Sequence, residues 1–137
     1  CRTYVVGKAD QKQHDIYRDI LEVQNDALKE IRPGVPVNEL FEFASDKVKS
    51  LGYAEYFQGY GASQGQYLGH GVGLELDELP VLDSRTTHPL QVNMVLAVEC
   101  KLIIPEFGAV FIEDTVIVRE EGAEILSQTD RNLAEVF

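Results

Sequence analysis

Positive charge is what this chain has least of for its size: 12 Lys and Arg stand against 23 Asp and Glu, a formal net charge of −11 at pH 7. That balance argues against nucleic acid and against anionic membrane surfaces as partners, because both are bound through basic patches. Cysteine is scarce as well. Cys1 and Cys100 make neither a disulfide framework nor a zinc-finger spacing, so a reducing, cytoplasmic setting is the expectation. No apolar run approaches the roughly 20 residues of a membrane helix, and the polar start lacks the apolar stretch of a secretory signal. Met94 is the only methionine and the chain opens on Cys1, so a piece of a longer protein is expected. No internal repeat or low-complexity segment occurs. What is present is ordinary globular material: 137 residues, 45% hydrophobic and 26% charged, enough for one domain with a core of its own.

The apolar pattern changes period along the chain. Ile16, Ile20, Val23, Ala27 and Ile31 recur at helical spacing, widened by Tyr17, Leu21 and Leu28. This predicts a helix from about Asp10, which can cap it, to Ile31, stopped by Pro33-Gly34. Leu40, Phe41, Ala44, Val48 and Leu51 predict a second helix that begins at Asn38 or the turn before it and ends at Gly52. Tyr53 to Tyr67 mixes aromatics with glycines and reads as a loop, lining a site or packing on itself. Pro80, Pro89 and the segment 83–87 mark an extended, turn-rich connection. β-prone runs follow at about 94–99, 101–104, 109–118 and 123–127, with the turn between the second and third at Pro105 to Gly108. Cys1 to Val6 is a short β-prone run that needs a pairing partner. The tail from Thr129 to Phe137 is expected to form a last helical turn. Helices first and antiparallel-looking strands after give an α+β fold.

Chemistry concentrates in three places. Gly69-His70-Gly71-Val72-Gly73-Leu74-Glu75-Leu76-Asp77-Glu78-Leu79-Pro80 holds a His among glycines. Glycines free the backbone for positive φ and for close approach to a ligand, and neutral imidazole is a common metal ligand. The plainer reading is a satisfied structural histidine. A phosphate cradle fits poorly, because Glu75, Asp77 and Glu78 would repel an anion. Glu99 closes the apolar run Met94 to Val98, and Glu113 lies inside the run Val110 to Val118. A buried carboxylate is costly unless it is paired or on a metal, but either Glu could equally face solvent. Phe111 and Thr115 share one face with Glu113, while Val110, Ile112, Asp114 and Val116 share the other, so neither face is plainly the polar one. Together His70, Glu99 and Glu113 form a nitrogen and carboxylate set suited to Mn, Co, Fe or Zn.

These segments resemble the pita-bread metallopeptidases, the methionine aminopeptidases, Xaa-Pro aminopeptidases and prolidases. Gly69 to Glu75 is similar to their Gly-His-Gly-Ile-Gly motif. Met94 to Glu99 and Gly108 to Val118 are similar to their two carboxylate-bearing strands. Arg32-Pro33-Gly34 matches the turn after their first helix, and Arg2-Thr3-Tyr4-Val5-Val6-Gly7 the end of an Asp-x-x-Arg-Thr strand.

The resemblance implies a partial pita-bread (creatinase/aminopeptidase) fold, two helices packed on a curved antiparallel sheet. It makes residues 1–137 the C-terminal portion of a catalytic domain, with upstream strands and an N-terminal domain absent. It implies two divalent metal ions held by His70, Glu99, Glu113 and two aspartates upstream of Cys1, so that the isolated chain is inactive. The activity implied is hydrolysis of a peptide or amide bond near the N-terminus of a small peptide, by water activated between the metals. Glu99 is also the expected catalytic proton shuttle, and Asp77 a candidate for binding the substrate amine. There are departures. Asp77 and Gln66 stand where peptidase members carry histidines, which puts Xaa-Pro specificity in doubt. Cys100 stands where Pro usually follows the ligand Glu. A creatinase-like amidinohydrolase or a non-catalytic binding module remains the alternative on the same fold. A homodimer is left open.

Overall fold

The computed structural model describes residues 1–137. Helix α1 (Gln11–Glu30) starts on a reciprocal cap. The Asp10 carboxylate accepts from the Gln13 backbone N–H at 2.8 Å, and the Gln13 side chain accepts from the Asp10 N–H at 2.9 Å. Such a cap is worth about 1 kcal/mol. The stripe Ile16, Tyr17, Ile20, Val23, Ala27 and Leu28 is buried, as its spacing predicts. Helix α2 (Val37–Ser50) begins in the turn before Asn38, with Pro36 at its cap position. It buries Val37, Leu40, Ala44 and Val48, whereas Leu51 lies past the helix and is exposed.

Both helices cover one face of a five-stranded antiparallel sheet of order β3-β2-β4-β5-β6. Its strands are β2 (Tyr67–Gly71), β3 (Glu78–Asp83), β4 (Val95–Ile104), β5 (Gly108–Arg119) and β6 (Gly122–Ile125). A separate parallel pair joins β1 (Tyr4–Val6) to β7 (Ala134–Val136). The core lies between α1, α2 and the sheet face bearing Leu96, Val98, Cys100, Leu102, Val110, Ile112, Val116 and Val118.

Three expectations are corrected. The run 94–104 is one strand and not two, because β5 pairs with it without interruption from Val95↔Ile117 to Ile104↔Gly108. The tail forms strand β7 and not a helical turn. The edge of β1 offers unpaired backbone groups that a strand satisfies, and Val136 further accepts from the Gly7 N–H at 2.8 Å. His70 sits on a strand and not in a loop. Its flanking glycines serve close packing between backbones and do not take positive φ. A Cβ on Gly69 would lie 1.9 Å from the Ala97 carbonyl oxygen, and one on Gly71 would lie 2.4 Å from that of Leu79.

The two helices are tied by Asp26 of α1, which accepts from Lys29 at 2.7 Å and pairs with Lys47 of α2. Hydrogen bonds from Lys29 and then Lys47 hold its carboxyl below its usual range. A lowered folded-state value stabilises above the unfolded value near 3.8 and is lost as pH falls through the folded one. Asp26→Asn is therefore expected to cost about 0.5–1 kcal/mol at neutral pH, the scale of partly exposed ion pairs. In urea titrations over an acid series, that difference should vanish below the carboxylate range.

Candidate active site

Asp114 apart, the central strands carry their charged groups on the face away from the helices. In β5, Val110, Ile112, Asp114, Val116 and Val118 are buried, while Phe111, Glu113, Thr115 and Ile117 are half-buried on the other side. Glu99 of β4 stands directly opposite Glu113, and His70 of β2 directly opposite Ala97. Directly opposed residues share a face, and so do residues two apart on a strand. His70, Glu99 and Glu113 therefore project from three neighbouring strands on one side of the sheet. Opposed like charges repel, so the Glu99/Glu113 pair calls for a cation. No three His, Cys, Asp or Glu groups close into a complete metal cage within this chain.

Each of the three is held by its surroundings. The His70 Nδ1 lies 3.0 Å from the Gly71 carbonyl, which can only accept, so Nδ1 carries the proton. Nε2 faces an oxygen of the exposed Asp77 at 2.9 Å, so both ring nitrogens have an acceptor here, and a metal on Nε2 would take the place that Asp77 occupies. Glu99 is 9% exposed. Its backbone carbonyl accepts from the buried Gln58 side chain at 2.5 Å, and its carboxylate lies 3.5 Å from the Lys101 ammonium. Gln58 has φ 58, a left-handed conformation uncommon outside glycine. It directly follows Phe57, whose backbone bridges to Leu102. Glu113 is fixed through its backbone, where its N–H donates to the Cys1 carbonyl at 3.2 Å and its own carbonyl accepts from Arg2 at 2.5 Å.

Two features of the site escape a reading of the sequence. Asp114 is fully buried on the helix side of β5. Arg2 donates to it at 2.8 Å, the Gln24 side chain donates at 3.2 Å, and the Arg131 guanidinium lies at 2.8 Å. An acid on the apolar face of a strand was the available signal, but its partners come from opposite ends of the chain. Lys101 follows Glu99 by two residues on β4. Burial works against its charge, but the Tyr67 hydroxyl at 3.1 Å and the Glu99 carboxylate outweigh this, so its pKa is raised and it stays protonated at neutral pH.

A sheet face with one imidazole and two opposed carboxylates, backed by two helices, is the arrangement of a pita-bread metallopeptidase domain. The model of metallopeptidase family M24 matches residues 1–120, and the chain belongs to that family. It is 40% identical over 132 residues to an Xaa-Pro dipeptidase of Pyrococcus furiosus, covering 96% of this chain and 36% of that protein. Among solved structures it resembles the prolidase of Pyrococcus horikoshii OT3, at 38% identity and TM-score 0.87, over 96% of this chain and 36% of that one. It also resembles an X-Pro aminopeptidase of Thermotoga maritima, at 32% identity and TM-score 0.90, over 98% of this chain and 36% of that one. The chain thus spans about a third of the length of these relatives. No helix is long and apolar enough to cross a membrane.

Proposed function

We propose that the protein containing this chain is a metal-dependent hydrolase that cleaves a peptide or amide bond near the N-terminus of a small peptide. The observation that carries this reading is the opposed pair Glu99/Glu113 with His70 on the next strand. One nitrogen and two carboxylates fit divalent Mn, Co, Zn or Fe. His70 Nε2, Glu99 and Glu113 would hold two such ions together with aspartates supplied from upstream, and Cys1 lies beside Glu113, where an aspartate just before it would enter. Bound divalent ions supply the charge that acidifies water and polarises a carbonyl.

The chain's own residues do the rest. Glu99, mostly buried and next to Lys101, takes a proton from the attacking water and returns it to the leaving amine. Glu113 is locked by its backbone bonds, so its carboxylate stays in register with Glu99. The Gly71 carbonyl holds His70 through Nδ1, which leaves Nε2, beside Asp77, as the nitrogen that a metal would take. Asp77, exposed beside His70, receives the substrate amine by charge. The relatives named Xaa-Pro dipeptidase and X-Pro aminopeptidase support a peptide as substrate. Asp77 and Gln66, in place of histidines, direct the choice of peptide away from strict Xaa-Pro specificity.

The test is metal content and metal-dependent cleavage of a short peptide panel by the full-length protein. We expect about two ions per chain, and loss of metal and activity together in Glu113→Gln. Asp77→Ala should raise KM for peptides with a free amine and leave N-acetylated ones unaffected. A well-folded protein that binds no metal and cleaves nothing would replace this reading with a binding module.

A further inference from the structure

The site face has a direction along β4. Ala97, opposite His70 and so beside Asp77, lies at one end, Glu99 with Glu113 in the middle, and Lys101 opposite Phe111 at the other. The surroundings are acidic at Glu75, Asp77, Glu78, Glu99 and Glu113, and Lys101 is the cation that the strand itself supplies to this face. Its ammonium lies 5.0 Å from the centre of the Tyr67 ring and 5.3 Å from that of Phe111. Its side chain is 19% exposed. An ammonium has three N–H donors. One goes to the Tyr67 hydroxyl at 3.1 Å, and a second faces Glu99 at 3.5 Å, long for a hydrogen bond. The third has no acceptor within the chain.

We propose that Lys101 is a specificity residue that receives a carboxylate of the substrate, on the residue directly after the bond being cut. The inference rests on the reading above in placing that bond at Glu99. The Lys101 ammonium stands 3.5 Å from the Glu99 carboxylate, about the rise of one residue in an extended chain. The free C-terminus of a dipeptide falls there, and so does an acidic side chain on the residue after the cut. The two aromatic rings flank the ammonium and hold it in place, so little side-chain freedom is left to lose when the carboxylate arrives. Asp77 at the opposite end takes the amine, which gives the site two poles that match a short zwitterionic peptide.

The experiment compares Ala-Pro, Ala-Pro-amide, Ala-Glu and Ala-Glu-amide as substrates of the full-length metal-loaded enzyme, wild type and variants. Wild type is expected to favour Ala-Pro over its amide by about 10- to 100-fold in kcat/KM, chiefly through KM, the usual worth of a charge-assisted hydrogen bond. Lys101→Met should bring that ratio near unity, and Lys101→Arg should keep most of it. Restored use of Ala-Glu-amide relative to Ala-Pro-amide, dependent on Lys101, would identify a side-chain carboxylate as the group bound. A ratio equal in wild type and Lys101→Met overturns the proposal. So does an equal loss of kcat on all four peptides, which would make Lys101 only a support for Glu99. If Lys101→Met does not fold, Lys101→Gln reads the same ratio. Wild type that cleaves none of the four overturns this proposal, and if it also binds no metal the hydrolase reading falls with it; cleavage without a Lys101-dependent ratio overturns this proposal alone.

Discussion

Asp114→Ala is expected to lower the free energy of unfolding by about 3–5 kcal/mol, the cost of stripping one partner from a buried ion pair. Asp114 is fully buried, and the Arg2 side chain opposite it is 7% exposed. Removing the carboxylate leaves Arg2 and Arg131 facing each other with no anion between them, and the Gln24 amide loses an acceptor. Asp114→Asn keeps the shape and one acceptor oxygen but removes the charge, so it should fall between the wild type and the alanine variant. Urea unfolding of the three proteins tests the order. A loss below about 1 kcal/mol in Asp114→Ala, the range of ordinary surface substitutions, would mean that the two arginines find water instead. Domains are stable by only about 5–15 kcal/mol, so the expected loss is a large part of the whole. It also reaches the site, because the same Arg2 donates to the backbone carbonyl of Glu113.

The second large effect is expected at Gly69. A methyl there would stand 1.9 Å from the Ala97 carbonyl oxygen, which belongs to the backbone of the neighbouring strand. No rotamer change relieves such a clash, so β2 and β4 must part. Overpacking of this kind costs about 1–3 kcal/mol, and more where backbone must move. Gly69→Ala is therefore expected to lose about 3 kcal/mol in thermal or urea melts and, because His70 is the next residue, to lose metal affinity in a titration. Unchanged stability with unchanged metal affinity would show that the strand shifts freely.

The elements with strong periodicity were legible in the sequence. Helix α1 and its cap follow from Asp10 and the stripe Ile16 to Leu28, whose side chains decide locally what they bury. The opposition of Glu99 and Glu113 was within reach too. A turn centred near Glu106 makes it a matter of counting outward along both strands. The motif glycines were read for the wrong property, since conformational freedom and lack of bulk leave the same letter in a sequence. The uneven face of β5 had a cause that no local pattern holds. Asp114 looks misplaced among Val110, Ile112 and Val116 until Arg2 and Arg131 arrive from the two ends of the chain. Lys101 was passed over because a lysine on a strand usually faces solvent, and only the register shows it beside a carboxylate. Gln58 gave no signal at all.

The parallel pairing of β1 with β7 brings together residues separated by almost the whole of this chain. Contacts between distant residues form slowly, because a long loop must close before any reward is collected. During synthesis, Tyr4 to Val6 must wait for Ala134 to Val136 to leave the ribosome. The Arg131 end of the cluster around Asp114 waits with them. The helices and the β4–β5 hairpin join nearer neighbours and can form earlier. The carboxylate face would then be assembled first and locked last, so the order of synthesis leaves its final fastening to residues 131–136.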